Sequence, residues 1–538
     1  MAETEEVFIR RASGLVRVVS PIDALVYAFV NPTIPYAYHY IIWSQVLYPG
    51  ANQYIAALFI ACLYPIVACI ALLTIAMPRS GGEYMFGSRI LHPYVGLLCS
   101  WGMILGGGLN WSGCLCSWGT MWGVGSAIWM EGMRRGAENL INLGLFLQNP
   151  YTWTGYWIGL IQLASAFFVM WLGTKWVMRC QWFVMIVTWV MLGCYMAICF
   201  TSSPAEVAMR MGRYGLDYDY VLERAREVGW TPGLMSWSAT VMAGYTYHQL
   251  STLGSTYVSA IAGEIKEIKK AQFLAQFGSL AMFILYWELF IWATYTGIGV
   301  DLIQAISYLN AAGLDLEVWG TNCTPVCYLL TLYLTDNPIL MQLAGPVGMF
   351  IINWGGILGL GFGPVRYLFA YGFDGVLPHW VCAVDRAGHA WGSVLLGFIM
   401  AFIIHTLNTF TPWLAYIAHT IAVWFISWTI LGIVAAVFPY RRRDIFERSP
   451  AVVKKMVGPV PLITILGIIA AAFSAYSVYS ILYPALTGAA VALQLVYLGW
   501  TIVALIVAPS IVFWAFYLYR KYVQGVPMEL RFKEIPPD

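Results

Sequence analysis

Apolar residues run in stretches of roughly twenty or more along this chain, separated by short polar segments, and the alternation recurs about twelve times between residues 20 and 519. A helix needs about 20 apolar residues to cross the hydrocarbon core of a bilayer, so each stretch predicts a membrane span. The predicted spans are 20–47, 54–77, 91–127, 153–173, 177–200, 233–264, 271–300, 340–371, 391–410, 413–438, 458–483 and 488–519. The fold class that follows is an all-α integral membrane protein with about 12 transmembrane helices. Residues 1–19 form a polar N-terminal segment, 520–538 a tail, and 20–519 a single transmembrane domain.

Two spans are interrupted. The first reads Val26-Tyr-Ala-Phe-Val-Asn-Pro-Thr-Ile-Pro-Tyr36. Pro32 and Pro35 carry no N–H, so the carbonyls of Ala28 and Asn31 lose their helical donors at bilayer depth. Lipid supplies no substitute, and backbone of this kind is tolerated only against protein or a water-filled cavity. A proline kink supported by neighbouring helices is the alternative for Pro32. The sixth span is interrupted at Leu250-Ser-Thr-Leu-Gly-Ser-Thr256, a polar, glycine-containing run. Breaks in the first and sixth spans are what a five-plus-five inverted repeat produces when each repeat opens with a discontinuous helix. The repeats would cover about 20–200 and 233–438, with extra helices over about 458–519. Half-helix ends facing each other near the midplane offer N–H and C=O groups to a polar solute. The reading is a carrier with a central site.

Composition narrows the class further. Hydrophobic residues make up 60% of the chain and charged residues 10%, which excludes a soluble fold of this size. The net charge of +2 is spread over the loops, so no nucleic-acid partner is expected. Of the 28 Lys and Arg residues, 22 fall on one side of the alternating series, and the positive-inside rule then places both termini in the cytoplasm of a cell-membrane protein. No His and carboxylate cluster at metal-ligand spacing, phosphate loop or activated nucleophile is present, so neither an enzyme, a metal site nor a cofactor is expected. Cys323 and Cys327 share an outside loop at a spacing that leaves a disulfide open.

Several motifs point the same way. Pro78-Arg-Ser-Gly-Gly-Glu-Tyr84, continued by His92-Pro-Tyr-Val-Gly96, Ala262-Gly-Glu-Ile-Lys266, Arg366-Tyr-Leu-Phe-Ala-Tyr-Gly-Phe-Asp-Gly-Val-Leu-Pro378 and Phe438-Pro-Tyr-Arg-Arg-Arg443 stand in order along the chain. Together they resemble the amino acid, polyamine and organocation transporter superfamily, with the fold of the bacterial leucine transporter. That resemblance implies a secondary active transporter that moves an amino acid or related amine by alternating access. Another small organic solute, such as a polyamine or nucleobase, is the alternative, as is a channel of the same fold. The resemblance implies a binding site at Asn31, Thr33, Ile34, Pro35, Tyr36, Ser251, Thr252, Leu253, Gly254 and Thr256, with Gly254 as the glycine of the broken sixth helix. Where the family carries bare amides in span 1, Pro35 removes a donor, and Thr256 stands where an acidic residue is usual.

Span 3 helps line the family's site, so Asn110, beside Trp111 and after Gly106-Gly-Gly108, is either a substrate contact or an interhelical amide bond. Tyr245 and Tyr247 are either an aromatic lid or packing. A sodium site in this fold uses span 8 hydroxyls, yet no Ser or Thr occurs from Met341 to Val376, although Asn353 offers a side-chain amide oxygen. Glu288 in span 7, with His248 in span 6, is the candidate proton-responsive group, because ionisable residues are expensive inside a membrane. Structural hydrogen bonding is the alternative role for Glu288. Partners other than the solute are lipid and protons.

Overall fold

The computed structural model describes residues 14–32, 36–321, 329–411, 420–487 and 492–533. Thr33, Ile34 and Pro35 of the expected site, and the Cys323 and Cys327 pair, lie outside the described residues. The described chain is almost wholly helical, with one short antiparallel pairing of Met456–Val457 with Val460–Pro461. Among the described residues, eight helices are long and apolar enough to cross a membrane: Gln53–Ala76, Trp153–Trp171, Thr174–Phe200, Ile268–Gly297, Pro338–Asp374, Trp391–Phe410, Ile421–Arg441 and Leu462–Pro484. They correspond to expected spans 2, 4, 5, 7, 8, 9, 10 and 11.

Span 1 begins sharply. Ser20 accepts from the Asp23 amide while the Asp23 carboxylate accepts from the Ser20 amide, and Pro21 opens the helix Pro21–Val30. That helix stops at Asn31, ahead of the two prolines, and a second helix, Ala37–Leu47, carries on from Tyr36. The sixth segment departs from the expected pair of half-helices. Trp237–Ala243 and a wide turn over Gly244–His248 form its first half, but beyond the break the chain continues only as short 3-10 turns, Ser255–Val258 and Ala262–Glu264. Gly254, at φ +101°, reverses the helix there.

Span 3 runs helically from Pro93 to Arg135, yet widens to π-helical turns at Gly102–Gly108 and Gly119–Gly125. The first bulge fits the glycine run to its neighbours. A β-carbon at Gly107 would lie 2.0 Å from the Trp424 ring of span 10, and one at Gly108 would lie 2.1 Å from Pro364 of span 8. Both ends of the described chain sit at one end of the bundle. The Val18 and Val19 amides donate to the Glu264 carbonyl at 2.9 and 3.0 Å, and Arg531 donates to the Asp374 carbonyl at 3.3 Å. This end is called the terminal face below, and the opposite end the far face. The polar loop after span 5 forms two short helices, Pro204–Arg213 and Tyr218–Glu227, at the far face.

Candidate functional site

The two breaks meet. Asn31 Nδ2 donates to the Gly254 carbonyl at 2.8 Å, and the same carbonyl accepts from the Tyr257 amide at 3.0 Å. A β-carbon at Gly254 would lie 2.9 Å from Leu360 and 3.0 Å from Asn31 Oδ1, so the junction has no spare room. Around it, Ser251 Oγ donates to the His248 carbonyl and accepts from Trp287 Nε1 at 2.9 Å, while Thr252 Oγ1 donates to the Gln249 carbonyl at 2.7 Å. These hydroxyls satisfy backbone carbonyls that the interrupted helix leaves open. Asn31 Oδ1, Ser255 Oγ and Thr256 Oγ1 are buried there without a partner.

The open volume lies beside the breaks, on their far-face side. A cavity of about 320 Å³ is lined by Tyr40 and Trp43 of span 1, Trp111, Trp118 and Trp122 of span 3, and Tyr247 of span 6. Beneath it a small pocket of about 30 Å³ reaches Pro32, Tyr36, Leu253 and Leu360 at the breaks themselves. No Asp, Glu, Lys or Arg is among the lining residues of either space. The rings pack closely, with centroids 4.7 Å apart for Trp118 and Trp122 and 5.4 Å for Tyr36 and Trp118. The buried indole N–H groups of Trp118 and Trp122 have no partner.

Of the expected substrate residues, Tyr36 and Leu253 line the small pocket. Asn31, Ser251, Thr252, Gly254 and Thr256 form the junction below it, and Asn110 is an interhelical link, donating to Thr420 Oγ1 at 3.3 Å. The sequence pattern did not single out Tyr40, Trp43, Trp118 or Trp122. Their signal is their spacing: Tyr36, Tyr40, Trp43 and Leu47 recur along one face of span 1, as do Trp111, Trp118 and Trp122 along span 3.

Asn353 ties three spans. Its Oδ1 accepts from the Tyr36 hydroxyl and its Nδ2 donates to the Leu115 carbonyl at 2.7 Å, so the amide oxygen considered for a cation is engaged. Two and six residues further along span 8, the carbonyls that face spans 1 and 5 are also taken. Gln181 Nε2 donates to the Gly355 carbonyl at 3.2 Å and the Tyr27 hydroxyl to the Gly359 carbonyl at 3.1 Å.

The expected gating residues separate. His248 is buried with Nδ1 against the Ala243 carbonyl at 3.2 Å and its ring 4.3 Å from that of Trp287. Glu288, the next residue along span 7 after Trp287, is half-buried, with Oε1 covered by protein. The pair therefore does not form one site. Tyr245 packs on Phe59 and Tyr476, at 5.4 and 4.7 Å, away from the cavity, and only Tyr247 of the two expected lid tyrosines lines it. Consecutive tyrosine positions two apart on a helix point to different neighbours, which decides between them.

Between the cavity and the terminal face the bundle is shut by polar links. Tyr257 donates to the Met103 carbonyl and accepts from the Gly108 amide at 3.1 Å. Deeper, Arg366 of span 8 pairs with Glu264 at 2.5 Å, and Thr174 of span 5 donates to the same carboxylate. Arg89 forms a two-pronged pair with Asp374, at 2.5 and 2.8 Å. All four charged side chains are nearly fully buried. The sequence motifs noted above thus converge on this seal rather than on the cavity.

The model of the family described as "Amino acid permease" matches residues 24–508. A search of curated proteins found no match to the chain.

Proposed function

The chain belongs to the amino acid permease family and is a multi-pass membrane transporter rather than an enzyme, and from that premise we propose that it moves an amino acid or related small amine by alternating access. The observation that carries this reading is the aromatic cavity set against the meeting point of the two breaks. Ring faces attract an ammonium group, each well-placed contact contributing about 0.5–2 kcal/mol as water is excluded. With no charged side chain among the described lining residues, the ammonium group is met by ring faces rather than by a fixed counter-ion.

Alternating access is supported by the one-sided state of the molecule, cavity towards the far face and buried ion pairs towards the terminal face. The partition of basic residues supports a cytoplasmic terminal face. An inverted repeat of five spans, with spans 1 and 6 moving against a scaffold, accounts for both breaks. Transport independent of sodium is supported by the lack of Ser and Thr from Met341 to Val376, and the nearby carbonyls of Gly355 and Gly359 already accept from Gln181 and Tyr27.

A thermal-shift screen of the purified protein against amino acids, polyamines and nucleobases is the test of substrate class. Compounds bearing a primary amine should raise the transition. A rise confined to nucleobases would replace this reading with the other-solute alternative. Uptake of the responding compound into proteoliposomes should persist when potassium replaces sodium.

A further inference from the structure

The seal contains a carboxyl group that no step above uses. Glu83 lies in the helix Gly82–Ile90, in the connection between spans 2 and 3, and is fully buried. Its Oε2 accepts from the Tyr367 hydroxyl of span 8 and lies 2.9 Å from Ser259 Oγ of the sixth segment, whose one hydrogen is shared with the Thr256 carbonyl at 2.7 Å, whereas Oε1 has no side-chain partner among the described residues. One oxygen thus joins the three parts that must separate if the terminal face is to open.

Among the described residues, no Lys or Arg pairs with Glu83. The titratable groups that face it are Tyr367 from span 8, Tyr257 from the sixth segment and Cys99 from span 3, all neutral near pH 7. Arg89 is bound to Asp374 and Arg366 to Glu264. The helix Tyr64–Ala76, also packed on Gly82–Ile90, has no charged residue, and Ile421–Arg441 has only the exposed Arg441 at its end. A buried carboxylate with at most two hydroxyl donors and no cation is costly, and a proton on Oε1 removes the charge without disturbing the contacts of Oε2.

We propose that Glu83 is a proton-binding latch, protonated while the terminal face is sealed and ionised once that face opens and water reaches it. This rests on the alternating-access reading. No proton has to cross the membrane, because the group exchanges with the terminal side each time the seal loosens. Burial raises the titration of the sealed state from the ordinary 4.5 to about 7. A group raised in this way favours the sealed state fully below its ordinary value and loses that contribution as pH climbs through about 7. Between pH 6 and pH 8 the sealed state should therefore lose about tenfold in population relative to the open one.

The test is thiol labelling at the terminal face. Val19 is buried in a bridge to Ile265, so a Val19→Cys probe, in a background with accessible native cysteines replaced by alanine, reports opening. Its labelling rate is divided by that of the same thiol in unfolded protein at each pH. The quotient should rise about tenfold from pH 6 to pH 8 with Glu83 present and stay flat in Glu83→Gln. A flat profile with Glu83 present, or the same rise in Glu83→Gln, overturns the latch. Should Glu83→Gln fail to fold, Tyr367→Phe serves instead: loss of a donor to the carboxylate should move the midpoint to higher pH, and an unmoved midpoint overturns the latch. Labelling that responds to a mixture of amino acids and putrescine but ignores pH removes the latch and leaves the carrier reading standing. Labelling that responds to neither removes both.

Discussion

Asn31 and Gly254 show how little tolerance the junction of the two breaks has. Gly254 holds a left-handed backbone with Leu360 and Asn31 against it, and an L side chain there costs about 1–2 kcal/mol before any clash. Gly254→Ala should lower the thermal transition in detergent and slow uptake, whereas alanine at Gly458, also at positive φ but in open space, should affect stability only. Asn31→Asp should be worse than Asn31→Ala, because it loses the donor and sets an acceptor against the Gly254 carbonyl. In the cavity, Trp118→Ala removes a ring face and an N–H together, and should weaken amine binding by about tenfold or more, while Trp118→Phe keeps the face and should lose less. Equal losses in the two variants, read by titration calorimetry, would count against recognition through the ring.

At the scale of the elements, the breaks and the wet motifs were legible, and the cavity was not. Pro32, next after the last helical turn at Asn31, marked the end of the first helix because it supplies no N–H to the Ala28 carbonyl, and Gly254 marked the sixth because few other residues adopt its backbone. The collapse of the second half of that segment into 3-10 turns was hidden, since it depends on Ser259, Glu264 and their partners on other spans. The π-helical turns of span 3 were hidden for the same reason. Gly106-Gly-Gly108 announces close approach, but only Trp424 and Pro364 decide that the helix must widen there. Gly107→Ala should therefore cost about 1–3 kcal/mol through overpacking, despite alanine's better helix propensity. The cavity residues escaped because aromatic residues on a membrane helix usually face lipid or core, and sequence cannot tell which face has no neighbour.

For the whole molecule, the seal at the terminal face is held by buried charge. Taking Glu264 away leaves Arg366 buried and uncompensated, which costs about 3–5 kcal/mol. Glu264→Leu alone should lower the thermal transition strongly, and adding Arg366→Met should restore most of the loss. Failure of the second change to rescue would mean that Thr174 and the ring of Phe362 carry the arrangement instead. The same pairs make the closed end a distinct state, with a cavity on one side and a bonded layer on the other. A carrier must exchange these two sides, whereas a channel would open both. Paired thiol labelling of Leu47→Cys, at the far-face side of the cavity, and Val19→Cys, in the terminal seal, decides between them. On addition of a mixture of amino acids and putrescine at fixed pH, labelling at Leu47→Cys should fall while labelling at Val19→Cys rises; a rise at both positions together would contradict the carrier.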